Sequence, residues 1–85
     1  MKNRSMPYSV SVSVDLYDNS TPTKFDAFAD RVSGTNIALR NARTNRNTRT
    51  YNFRCTEQGV AILLARWSKR LGSGVTDASV SVATA

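Results

Sequence analysis

Residues 8–17, Y-S-V-S-V-S-V-D-L-Y, alternate strictly between apolar and polar. A period of two fits one regular structure, a β-strand buried on one face and open on the other. It places Tyr8, Val10, Val12, Val14 and Leu16 on the inner side and Ser9, Ser11, Ser13 and Asp15 on the outer. A helix would scatter the valines around its circumference. Residues 78–83, A-S-V-S-V-A, repeat the pattern, with Val80 and Val82 inward and Ser79 and Ser81 outward. Two strands that are apolar on one side only need a cover, and the residues between them supply it.

Asp18-Asn19-Ser20-Thr21-Pro22 is dense in turn formers and ends the first strand. Phe25, Phe28, Ala29 and Val32 then recur at helical spacing, with Thr21 or Thr23 as the expected cap, Pro22 in the opening turn and Asp26 in the first turn, where a negative charge suits the helix dipole. Ser33-Gly34 stops this helix. Residues 35–42 and 48–55 read as two arms of a hairpin. Thr56 is the expected cap of a second helix, with Glu57 and Gln58 in its opening turn. Its expected apolar stripe is Val60, Leu63, Leu64, Trp67 and Leu71, with Trp67 as the core anchor. Gly72-Ser73-Gly74 ends it.

The predicted order is strand, helix, strand, strand, helix, strand. Two such split strand-helix-strand units resemble the ferredoxin-like fold. That resemblance implies an α+β domain over residues 1–85. Its four-stranded antiparallel sheet would run in order 4-1-3-2, with both helices on one face and a basic tail over about residues 1–6. The valine faces of the outer strands in sequence would meet the helices. Ser9, Ser11, Ser13, Ser79 and Ser81 would share the open face with Arg40, Asn52 and Arg54.

The hairpin carries the chain's most pointed chemistry. Residues 40–54, R-N-A-R-T-N-R-N-T-R-T-Y-N-F-R, hold five of the nine arginines and no acidic residue, and residues 43–49 read the same in both directions. Folding about Arg46 would place Arg43 opposite Arg49, Asn41 opposite Tyr51, Leu39 opposite Phe53 and Ile37 opposite Cys55. Two arginines set directly opposite destabilise a sheet unless an anion sits between them. Arg, Asn and Thr all donate hydrogen bonds to phosphate oxygens. The candidate binding residues are therefore Arg40, Arg43, Asn45, Arg46, Asn47, Arg49, Asn52 and Arg54. Arg66, Lys69 and Arg70 form a second basic patch, placed where cations also complement a helix C-terminus.

Twelve Lys and Arg against six Asp and Glu give a net charge of +6. The expected partners are anionic: DNA, RNA, or an acidic protein or ribonucleoprotein complex. No run is apolar enough to span a membrane, and no membrane partner is expected. The single cysteine, Cys55, cannot form an intramolecular disulfide, which fits a reducing compartment, the cytoplasm, or the host cytoplasm for a viral chain. With no histidine, the Ser-His and Cys-His catalytic pairs and the common zinc sites are excluded. V-D-L-Y-D-N-S resembles the strand-end Asp of small CRISPR-associated nucleases, which would imply Mg²⁺ at Asp15 and Asp18. Both carboxylates also suit a strand end and a turn, and neither a metal nor a cofactor is expected.

R-T-Y-N-F-R resembles the aromatic third strand of the RNA-recognition motif, which stacks bases on its rings. Here the glycines of that motif are missing, and the register turns Tyr51 and Phe53 toward the helices, so both are expected in the core. The reading that follows is a non-enzymatic nucleic-acid-binding protein that grips phosphates with its arginine hairpin. The alternative is a virus- or phage-encoded inhibitor or accessory factor, of the anti-CRISPR type, acting on a host nucleic-acid machine. An exposed edge on the second or fourth strand would also allow pairing into a homodimer.

Overall fold

A computed structural model of the chain describes residues 5–82. Residues 1–4 of the expected basic tail and residue 83 of the last strand lie outside that range. Six elements follow in order: β1 (Tyr8–Asp15), α1 (Thr21–Val32), β2 (Ile37–Asn45), β3 (Thr48–Cys55), α2 (Gln58–Arg70) and β4 (Val75–Val82). The fold is α+β, with one antiparallel sheet in the order β2-β3-β1-β4. Counted from the opposite edge, that order reads 4-1-3-2.

The alternation in β1 does what period-two pleating requires. Val10, Val12 and Val14 are fully buried, facing Tyr51, Phe53 and Cys55 of β3 and Phe25, Phe28 and Ala29 of α1 in one apolar cluster. Phe25 sits at its centre, with ring centroids 5.5 Å from Phe28, 4.6 Å from Tyr51 and 6.1 Å from Phe53. Tyr51 and Phe53 are core residues, as their register demands. Cys55 is a buried free thiol.

α2 keeps part of its expected face, with Leu64 fully buried and Val60 and Leu71 packed against the core, and departs from it at Leu63 and Trp67. Side-chain size favours a stripe through Leu63 and Trp67, but the buried line is Ala61, Leu64 and Ser68. Leu63 is 44% exposed and Trp67 46% exposed, so Trp67 is not a core anchor. Small residues on the inner line let the helix approach the sheet closely, and the Ser68 hydroxyl is satisfied by the Leu64 carbonyl at 2.8 Å.

The caps also differ. The α1 N-terminus is held by Asp18, whose carboxylate accepts from the Thr21 amide at 2.8 Å and the Ser20 amide at 3.4 Å. Neither Thr21 nor Thr23 caps it, and Asp26 lies beyond the first turn. The Thr21 hydroxyl and amide, followed by the Ser20 amide and Lys24, hold the Asp18 carboxyl below its ordinary value. Thr56 is not a helix cap either. It donates its hydroxyl and amide to Asn36, at 3.2 and 3.0 Å, and thereby ties the end of β3 to the start of β2.

Gly74 is needed for space. A Cβ there would stand 2.8 Å from both the Asp18 and the Thr21 Cβ atoms, so the turn before β4 nests directly on the α1 cap. β4 accordingly starts at Val75, three residues before the alternation begins.

Burial pushes the Cys55 thiol above its ordinary value. Burial first, then the hydrogen bond to Asp26, do the same to the Tyr51 phenol. Both groups hold their protons more tightly folded than unfolded. Their contribution is therefore fully present below the unfolded values, about 8.5 for Cys and about 10 for Tyr, and is lost as pH rises past them. Denaturation midpoints should hold steady from neutral pH to about 8.5 and then fall. Cys55→Val should delay the onset of that fall toward the tyrosine range. An unchanged alkaline profile in that variant would remove Cys55 as the cause.

Candidate nucleic-acid interface

The hairpin does not fold about Arg46 with a straight register. Near its base, Ile37 faces Cys55 and Leu39 faces Phe53, as expected, but Asn41 faces Asn52, Ala42 faces Tyr51, Arg43 faces Thr50 and Thr44 faces Arg49. Arg40 is the extra residue between the two registers, a β-bulge. Two demands conflict here: the base is fixed by apolar pairs on the helix face, and the tip closes with a two-residue turn, Arg46-Asn47, between paired Asn45 and Thr48. A two-residue turn matches strand twist better than the three-residue loop a mirror-symmetric hairpin would need. The strand absorbs the difference at Arg40.

Arg46 bears the cost of that turn. Its φ of 58° is the only positive value among the described non-glycine residues. Such a φ disfavours a side chain by about 1 kcal/mol. Arg46→Gly should therefore raise the unfolding free energy by about that amount, seen as a higher denaturation midpoint. A lower midpoint would mean that the Arg46 side chain stabilises the tip by contacts outweighing its backbone strain.

The bulge sorts the candidate residues onto different surfaces. Arg49 lies opposite Val14 and so belongs to the helix side, where its Nη1 stands 3.8 Å from Asp26 Oδ2 and its Nε donates to Thr44 Oγ1 at 3.2 Å. The Tyr51 hydroxyl donates to the other Asp26 oxygen. Arg49 thus pins the hairpin to α1, and the expected Arg43–Arg49 opposition does not occur. Asn45, Arg46 and Asn47 form the exposed tip. Arg43, opposite Thr50 and in line with Ser13, points to the open face. Arg66, Lys69 and Arg70 are exposed on α2, on the other side of the sheet.

Arg40, Asn52 and Arg54 do come together. With Ser9, Asn41 and the Phe53 segment they line a concavity of ≈ 350 Å³ on the open face. Its hydrogen bonding is directional. Ser11 Oγ donates to Asn52 Oδ1 at 2.9 Å, and Asn52 Nδ2 donates to Asn41 Oδ1 at 2.7 Å. Both amide oxygens thus already accept a hydrogen bond from within this chain. The guanidinium groups of Arg40 and Arg54 add donors only, and Arg54 Nη1 also donates to the Met6 carbonyl at 3.1 Å. No carboxylate lines the hollow. A site of donors and positive charge is complementary to an oxyanion.

The open face is electrostatically divided. Asp77 lies opposite Ser13 on the β4 half, and Asp15 at the tip end accepts from the Tyr17 amide at 2.9 Å, so the positive half is the β2–β3 half. Asp15 and Asp18 are both engaged by backbone amides. Among the described residues no group of three or more His, Cys, Asp or Glu side chains could hold a metal ion. No described helix is long and apolar enough to cross a membrane.

Sequence reasoning missed Asn41, because a straight register turns it toward Tyr51 and the helices. A bulge reverses the face of every residue beyond it, and R-N-A-R carries no glycine to announce one. No family model, curated protein or solved structure matches this chain.

Proposed function

We propose that this chain is a non-enzymatic, cytoplasmic nucleic-acid-binding protein on a ferredoxin-like βαββαβ frame, and that it grips the phosphate backbone with the β2–β3 half of its open sheet face. The observation that carries this reading is the donor-rich, carboxylate-free hollow of Arg40, Asn41, Asn52, Arg54 and Ser9. Arg43 and Arg46 continue the positive line toward the hairpin tip. Six residues of strand separate Arg40 from Arg46, about 20 Å, long enough to follow several successive phosphates rather than one small anion. The net charge of +6 acts in the same direction.

Duplex DNA or structured RNA suits this face better than a single strand. Base stacking needs exposed rings on the binding surface, and Tyr51 and Phe53 are buried beneath it. The test is fluorescence anisotropy with labelled duplex DNA, duplex RNA and single strands across a salt series. Affinity that falls steeply with salt and varies little with sequence supports the reading. Absence of binding at low salt rejects it.

One observation favours the second reading, an inhibitor or accessory factor that docks on an acidic protein or ribonucleoprotein. Ile62, Leu63 and Trp67 are exposed on α2 beside Arg66, Lys69 and Arg70. Trp and Arg are the residue types that dominate protein-binding hot spots.

A further inference from the structure

The two edges of the sheet are unlike. β2 carries Arg40, Arg43 and a bulge along its length, devices that keep an edge from pairing with another chain. β4 is guarded less: its one irregularity against β1 lies at its start, where Thr76 is the extra residue of a bulge, and residues 77–82 run in regular register. Among the described residues it pairs with β1 on one side and with no strand on the other; it runs eight residues from Val75 to Val82 and contains no proline, lysine or arginine. Its one charge is Asp77. Val82, at its end, is 68% exposed. A strand of this length presents a row of unpaired N–H and C=O groups, and its alternating side chains give both faces a defined pairing preference.

We propose that β4 pairs antiparallel with β4 of a second copy of this chain, about a two-fold axis perpendicular to the sheet, giving one continuous eight-stranded sheet. Such an axis keeps like faces together only if paired residue numbers sum to an even value. The register centred on Ser79 satisfies this and is self-complementary. Ser79 meets the partner's Ser79 and Asp77 meets the partner's Ser81 on the open face, while Ala78 meets the partner's Val80 on the helix face. Asp77 accepts from the partner's serine hydroxyl, and the regular pairing ends at that residue, because Thr76 belongs to the bulge. The interface is isologous, so one register provides both halves.

Charge selects this edge over other surfaces for a second copy. The molecule carries +6 overall, and both the β2–β3 half of the open face and the outer side of α2 would bring cations together. β4 brings only one carboxylate from each copy, and each lies opposite a serine. In the dimer both remaining edges are β2, the guarded one, so association stops at two. Nothing in this pairing depends on nucleic acid.

The test is sedimentation equilibrium of the full chain over a wide concentration range at low salt, with circular dichroism to verify that each variant is folded. The wild type should show reversible dimerisation. Ser79→Lys places two ammonium groups directly opposite across the axis, and Ser79→Glu two carboxylates. Each alone should dimerise about fivefold or more weakly, whereas an equimolar mixture should regain the affinity through a Lys–Glu pair. A wild type that stays monomeric to millimolar concentration overturns the proposal. So does association unchanged in Ser79→Lys, or a mixture that fails to recover.

Discussion

Phe25→Ala should remove about 3–5 kcal/mol of folding free energy, the loss typical of a large aromatic truncated in a packed interior. Phe25 is fully buried and is the one ring in contact with Phe28, Tyr51 and Phe53 together, so it joins α1 to β3 at the middle of the core. Collapse around the void is restricted, because Val10, Val12 and Val14 form the sheet surface on which these rings lie. A domain of this size has a total stability of order 5–15 kcal/mol, so the variant should be partly unfolded near the physiological range. The same truncation at Trp67, the residue whose size marks it as an anchor, should cost far less, because that side chain is 46% exposed. Urea denaturation of the two variants beside the wild type measures the contrast. Equal losses at both positions would place Trp67 in the core and refute the observed orientation of α2.

That contrast shows where sequence reasoning reaches and where it stops. β1 is legible because a sheet buried on one side leaves a binary signature: Val10, Val12 and Val14 inside and Ser9, Ser11 and Ser13 outside are the same statement in sequence and in structure. α2 is not, because its sequence V-A-I-L-L-A-R-W-S contains two helical lines. Hydropathy favours the line through Leu63 and Trp67, but close helix–sheet packing favours the one through Ala61 and Ser68, and packing decides. Caps fail for a related reason. Thr21 and Thr56 are good capping types, but Asp18 reaches the α1 amides from within the preceding turn, and Thr56 is held by Asn36.

The candidate site is legible in part. Strand parity alone puts Arg40, Asn52 and Arg54 on the open face, and they do share one hollow there. The arginine palindrome is misleading. Its mirror symmetry suggests a symmetric hairpin with Arg43 and Arg49 acting together, whereas a two-residue turn and a compensating bulge send them to opposite sides of the sheet. Pairing register is set by the competition between base and tip, which no local stretch of sequence records.

That separation makes the arginines individually informative. Replacing Arg40 and Arg54 together by Ala should abolish most of the salt-sensitive affinity, because each contributes a charge-assisted donor to the same hollow and no carboxylate lines it. Removing one arginine–phosphate pairing should flatten the slope of log affinity against log salt by about one unit, so the double variant should lose about two. Stability should change little, since neither side chain belongs to the apolar cluster. Arg49→Ala should behave in the opposite way. It breaks the link to Asp26, loosening the hairpin against α1, yet leaves the open face intact, and its salt slope should match the wild type. If Arg49→Ala reduced the slope while the double variant kept it, phosphate would be gripped on the helix side and the open face would have another partner. The outcome follows from parity along two strands: Arg40 and Arg54 face away from the helices, Arg49 faces α1, and a phosphate backbone on one side of the sheet can reach only one of these sets.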